Sequence, residues 1–156
     1  MTADSSGNPN SGVAPPLPCP AIRLVAQRPP MLLAGALTFR DRPGNLSVVA
    51  ATVPESGVFV GPDGRVIPEY FVELMAQGMA AVNGYDAITD AEAATRGFLV
   101  GIDNFVWLGG ARGGEELTVE LVKTFEFGPV TVMGGRVISA AGALLAEGEI
   151  KAWEQL

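Results

Sequence analysis

The 156 residues contain no histidine and a single cysteine. Without an imidazole, the chain cannot by itself run histidine-dependent proton transfer. One thiol and no imidazole also exclude an intramolecular disulfide and tetrahedral zinc ligation by nitrogen and sulfur, and neither a metal nor another cofactor is expected. Cys19, set between Pro18 and Pro20, reads as incidental rather than reactive. Basic side chains are scarce: 10 Lys and Arg against 17 Asp and Glu leave a net charge of −7. That balance argues against nucleic acid as a partner and against docking on an anionic membrane. No apolar run approaches the roughly 18–20 residues that span a bilayer. The opening residues lack the basic start and apolar core of a secretory signal, so a cytoplasmic protein without a membrane span is the expectation.

What is abundant is apolar. Hydrophobic residues make up 48% of the chain, enough to fill the core of one domain. Residues 1–20, proline-rich among Ser, Gly and Asn, read as a disordered tail, leaving 21–156 as the domain. Ala21–Ala26 suits a helical turn. Met31–Phe39 and Leu46–Val53 read as strands, the second rich in β-branched residues, with a turn over Arg40–Gly44. Pro54–Arg65 is a loop with a tight turn at Pro62-Asp63-Gly64. One long helix follows, Pro68–Asn83. Pro68 suits its first turn, Glu69 complements the positive end of its dipole, and Gly84 is placed to stop it. After a connection over Tyr85–Arg96, the segments Gly97–Leu108, Glu116–Phe127, Pro129–Ala140 and Leu144–Trp153 read as strands joined by short turns, an antiparallel meander.

The helix carries an apolar stripe at Phe71, Leu74, Met75, Gly78 and Val82, with Met79 and several alanines beside it and almost no charge, which marks it as buried. A buried helix and a sheet each need a partner, so the fold class is α+β: a curved antiparallel sheet wrapped around one long central helix. Tyr70, Glu73 and Gln77 interrupt the apolar surface at spacings of three and four, and so share one line along the helix. Glu73 is the candidate catalytic group, because desolvation disfavours a charged carboxylate and moves it toward the range of a useful base. The plain alternative is an acid at the helix edge, in solvent or paired with Arg65. Gln77 would orient Glu73 or simply satisfy a buried interface. Tyr70 reads as core packing, with the mouth of a ligand tunnel as its other role. Phe105, Trp107 and Phe127 read as sheet core, with tunnel lining as the alternative.

Four stretches in this order resemble the hot-dog-fold β-hydroxyacyl-acyl-carrier-protein dehydratases, including the diverged members of aryl-polyene-type pathways. They are Gln27-Arg28-Pro29-Pro30-Met31-Leu32-Leu33; Gly61 to Pro68; Val72-Glu73-Leu74-Met75-Ala76-Gln77; and Gly97-Phe98-Leu99-Val100-Gly101-Ile102-Asp103-Asn104 with Gly114-Glu115-Glu116-Leu117 following. The resemblance spans about residues 22–153. It implies the hot-dog fold and a site made by a loop histidine and a helix acid from different subunits of a dimer. Glu73 matches the helix acid. Val60, or Phe59 if the gap differs by one, stands where the loop histidine belongs, and Gln27 replaces a second histidine. Val60, Gly61, Tyr70 and Gly101 fall where the family binds substrate, and amides near Arg65–Pro68 would polarise the thioester carbonyl.

The resemblance therefore implies a dehydratase-like protein that handles β-hydroxyacyl or acyl thioesters on an acyl carrier protein or coenzyme A, in fatty-acid or polyketide-type biosynthesis. Three versions remain open. The first is an enzyme acting through Glu73, with a histidine lent by a paired hot-dog subunit. The second is a non-catalytic partner or acyl-binding module. The third is a thioesterase using Glu73 and water. A homodimer or a heterodimer with another hot-dog subunit is expected, because a monomer would leave a strand edge and the small-residue face of Ala76, Ala80 and Gly84 uncovered. Arg23, Arg28, Arg40, Arg42, Arg96 and Arg112 are candidates to meet an acidic carrier or a phosphate, with a solvated surface as the alternative for any one of them.

Overall fold

Residues 12–93 and 95–155 are described by a computed structural model, in which a single long helix lies against one face of a seven-stranded sheet. The strands are β1 (Cys19–Pro20), β2 (Ala36–Asp41), β3 (Leu46–Thr52), β4 (Arg96–Trp107), β5 (Glu116–Phe127), β6 (Val130–Ser139) and β7 (Leu144–Gln155); the helix α1 runs Glu69–Thr89. Every pairing is antiparallel, in the order β1-β2-β3-β5-β6-β7-β4. β5, β6 and β7 form the expected meander. β4 departs from it: rather than pairing with β5, the next strand in sequence, it lies at the far edge against β7.

Alternation explains the core. Leu117, Val119 and Leu121 of β5 are buried while Thr118 is exposed, and Val49, Met133, Val137, Ala146 and Ile150 continue the buried face across the neighbouring strands. Phe71, Leu74, Met75 and Val82 of α1 complete the same cluster. Burying one such side chain contributes about 1.5–3 kcal/mol. Gly78 lets the helix sit close, since a methyl group there would press on Leu121 Cδ1 at 2.9 Å.

Three sequence-based boundaries shift, each for a visible reason. Residues 1–11 lie outside the described residues, but packed structure begins before position 21: Pro15 and Cys19 are buried and Cys19–Pro20 pairs with β2. Burial raises the Cys19 thiol above its ordinary pKa, with Arg23 pulling weakly the other way. The strand expected over Met31–Phe39 starts only at Ala36, because the Leu33 and Ala34 N–H groups go to a side chain on α1 instead of a neighbouring strand. The helix does not stop at Gly84 but continues to Thr89, taking in the first part of the expected connection. Gly84 serves close approach rather than termination, since a Cβ there would run into the carbonyl of Leu24. Among the described residues no helix is long and apolar enough to cross a membrane.

Candidate functional site

The loop leading into α1 is pinned as a small hairpin. Val60 bridges Val66, Gly61 N–H donates to the Arg65 carbonyl (2.7 Å), Arg65 N–H donates to Asp63 Oδ1 (3.0 Å), and Ile67 N–H donates to the Phe59 carbonyl (2.9 Å). A second bridge, Arg65 to Arg112, ties it to the segment after β4. Between this hairpin and the end of β4 lies a cleft of about 690 Å³ lined by Gly61, Arg65, Pro68, Trp107, Leu108 and Gly110, among others. That is within the range of sites for small ligands and cofactors.

On α1, Gln77 is fully buried and makes every hydrogen bond its amide can make. Its Oε1 accepts from the N–H groups of Leu33 (2.7 Å) and Ala34 (3.2 Å), and its Nε2 donates to the Met31 carbonyl (2.7 Å) and to Glu73 Oε1 (2.9 Å). A flipped amide would aim its NH₂ at two N–H donors, so the orientation is fixed by its neighbours. Glu73 is half-buried, bonded to Gln77, and makes no ion pair with Arg65. Tyr70, one turn before Glu73, is wholly buried with its ring against Phe59 and Phe71, and its hydroxyl has no hydrogen-bond partner. Burial pushes the phenol up to about 12.

The structure thus joins Glu73 to Gln77 and sets Val60 and Gly61 in the hairpin that leads into the same helix. Only Gly61 of the six candidates lines the cleft. Gly101 stands apart on β4 next to a register shift, opposite Lys151. Trp107 is 50% and Phe127 75% exposed, so neither is sheet core; Phe105 is half-buried against the core. Leu108 was legible only as the end of a strand, and Gly109 and Gly110 only as the turn after it. Their signal is an apolar strand end followed by two glycines, which lets backbone form a wall where side chains would fill the space. Arg40 and Arg42 are not docking groups: they pair with Asp86 and Asp90, and the Arg40 side chain is only 5% exposed.

β4 is also the open edge. Its outer side is unpaired among the described residues, and Phe98, Leu99, Val100, Ile102, Val106 and Trp107 are all exposed along it. Such an edge invites another strand.

The ApeP-like family model, described as ApeP dehydratase, matches residues 19–155. No curated protein matches the chain. Among solved structures, the dehydratase heterocomplex ApeI:P from Xenorhabdus doucetiae is similar with a TM-score of 0.78 and 20% identity, over 88% of this chain and 91% of that one. The protein smu.793 from Streptococcus mutans bound to acetyl CoA follows with 0.62 and 12%, over 85% and 95%. A hypothetical thioesterase protein with coenzyme A from Streptococcus pneumoniae gives 0.56 and 14%, over 72% and 80%. With the strand order and the central helix, these likenesses establish the hot-dog fold.

Proposed function

The chain belongs to the ApeP-like dehydratase family, and from that premise we propose that it is one subunit of a two-component dehydratase acting on β-hydroxyacyl thioesters, with Glu73 as its acid and the histidine lent by a second hot-dog subunit. The observation that carries this reading is the pairing of a half-buried Glu73, held by Gln77, with a complete lack of histidine. Elimination breaks a C–H bond α to the thioester carbonyl and a C–OH bond at the β carbon, forms a C=C bond and releases water. The partner's imidazole takes the α proton, and the Glu73 carboxyl group, acting as the general acid, delivers a proton to the departing hydroxyl. Gln77 donates to Oε1 and so fixes the carboxyl rotamer. The open β4 edge is the place for the second subunit, as a continued antiparallel sheet. The similarity to a dehydratase heterocomplex supports a partner of the same fold, and the coenzyme A-bound neighbours support thioester ligands.

The test is turnover of a β-hydroxyacyl thioester by the full chain, alone and mixed with a histidine-bearing hot-dog subunit from the same source. Water loss is expected only in the mixture, and Glu73→Gln there should lower kcat by about 10²-fold or more. Unchanged turnover by Glu73→Gln, or full turnover without the second subunit, would defeat the proposal. Release of free thiol by the chain alone, abolished in Glu73→Gln, would instead favour hydrolysis of the thioester.

A further inference from the structure

The helix covers one face of the sheet. On the other face, side chains of β4 to β7 meet solvent. Met133, Ile150 and Ala152 turn toward the core, so Val130, Val132, Lys151 and Trp153 of the same strands turn away from it. Register then builds one row across four strands on that outer face. Phe127 of β5 opposes Val130 of β6, Val130 opposes Trp153 of β7, and Trp153 opposes Phe98 of β4. Phe125, opposite Val132, stands beside the row. The four aromatic side chains are 48–75% exposed. A contiguous apolar patch marks a contact surface, and aromatic side chains are enriched in such contacts. The residues ahead of Gly12 do not supply a cover, since apart from Met1, Ala3 and Pro9 they are polar or glycine.

The charges on this face are sorted along the strands. Arg96 and Lys151 lie to either side of the aromatic row, and Arg96 makes no ion pair among the described residues. Farther along come Glu120, Glu147, Glu149 and Asp103 with Arg136 among them, a sum of −3 from four carboxylates and one guanidinium. Arg136 is held loosely, 3.4 Å from Glu120 and 4.0 Å from Glu147. A face with an aromatic, basic end and an acidic stretch is complementary to itself. A half-turn about an axis between two such faces, running across the strands, lays each end over the opposite end of the other copy. Arg136 then comes under aromatic rings, on which a guanidinium stacks. The area is sufficient: four strands of 10–12 residues, at about 4.8 Å between strands and about 3.3 Å per residue, present roughly 700 Å². A stable interface takes about 800 Å² from each partner.

We propose that the outer face of β4 to β7 docks a second copy of this chain, sheet against sheet and head to tail. The contact uses side chains of four strands rather than the unpaired backbone of β4, so it leaves that edge and the cleft beside α1 free. It does not depend on the thioester reading.

Sedimentation equilibrium of the full chain tests it. Self-association in the micromolar range is expected. Phe127→Ser, at an exposed hairpin end three strands from the β4 edge, should weaken it about tenfold or more, while Val58→Ser, equally exposed but on a loop, should not change it. Arg96→Glu should weaken it about fivefold, as should Glu147→Lys with Glu149→Lys, and all three reversals together should restore it. Unchanged thermal unfolding of each variant shows that the fold is kept. A chain that stays monomeric at about 100 μM overturns the proposal, since a specific contact of this size holds at that concentration. So does self-association that survives Phe127→Ser, which would assign the contact to another surface such as the β4 edge. Failure of the triple reversal to restore what Arg96→Glu loses overturns it as well, because the head-to-tail match of charges would then be absent.

Discussion

At the C-terminal end of α1 the polar side chains have partners. Arg40 forks onto Asp86 at 2.9 and 2.7 Å, Arg42 forks onto Asp90 at 2.7 and 2.8 Å, and Tyr85 donates its hydroxyl to the Pro15 carbonyl at 2.8 Å. Two cations at that end also complement the negative pole of the helix. The Arg42 guanidinium, hydrogen-bonded to Asp90, keeps the Asp90 carboxyl below the ordinary carboxylate range. At the N-terminal end the Tyr70 hydroxyl is buried without a partner, Arg65 of the preceding hairpin and Arg112 bridged to it make no ion pair among the described residues, and an open cleft adjoins Pro68. One end of the helix is satisfied by its own chain and fixes the fold. The other carries unspent hydrogen-bonding and charge capacity, as expected of a site that meets something else. Gln77 lies between them and joins the two halves.

The largest break in this arrangement should come from Gln77→Ala. It leaves the buried N–H groups of Leu33 and Ala34 and the Met31 carbonyl without partners and releases Glu73. Each unsatisfied buried group costs about 1–3 kcal/mol, so a loss of roughly 3–5 kcal/mol is expected in urea unfolding. Hydrogen exchange at Leu33 and Ala34 should speed up ahead of the rest of the sheet. Loss of exchange protection spread evenly over the fold would mean that Gln77 does not hold this segment in particular. Gly84→Ala comes next. Helix propensity alone predicts a gain of about 1 kcal/mol, but the added methyl meets the Leu24 carbonyl, which is backbone and cannot swing away. A net loss of about 2–3 kcal/mol is expected, and a rise in Tm would show that the approach of Leu24 to the helix is looser than drawn.

These two residues also mark how far the sequence could be read. The buried helix carrying Glu73 and the meander of β5, β6 and β7 followed from periodicity, because an apolar stripe and alternating strands state their burial directly. Gln77 was legible as a neighbour of Glu73 at four residues' spacing. Its capture of the Met31–Ala34 segment was not, because that pairing spans more than forty residues and no local pattern announces it. Gly84 carries the same signal whether it ends a helix or admits a neighbouring carbonyl, and only the packed chain distinguishes the two. The position of β4 at the far edge and the exposure of Trp107 are likewise products of topology. Arg65 and Arg112 are 47 positions apart in sequence (112 − 65) and become opposite partners only through the bridge.

The smallest effect separates the two ends most sharply, because it uses the same substitution at each. Tyr70→Phe removes an orphan hydroxyl and should stabilise the chain by about 1 kcal/mol. Tyr85→Phe removes a made bond and strands the Pro15 carbonyl, and should destabilise it by a similar amount. Alkaline pH adds a second contrast between Tyr70→Phe and the wild type. The Tyr70 phenol titrates near 10 unfolded and is pushed up to about 12 by burial. Between those values the unfolded chain gives up a proton that the folded chain keeps, so the wild type loses stability as pH rises through that window, by up to about 3 kcal/mol from this group. Below pH 10 the contribution is fully present. Tyr70→Phe lacks the group, so its advantage over the wild type should widen from neutral pH toward pH 12. A constant advantage would mean that the hydroxyl reaches water in solution, and the contrast between the helix ends would then lose its clearest member. If Tyr70→Phe were instead to weaken thioester binding while raising stability, the orphan hydroxyl would be assigned to the ligand, and the N-terminal end of α1 would be a site held in reserve at the expense of stability.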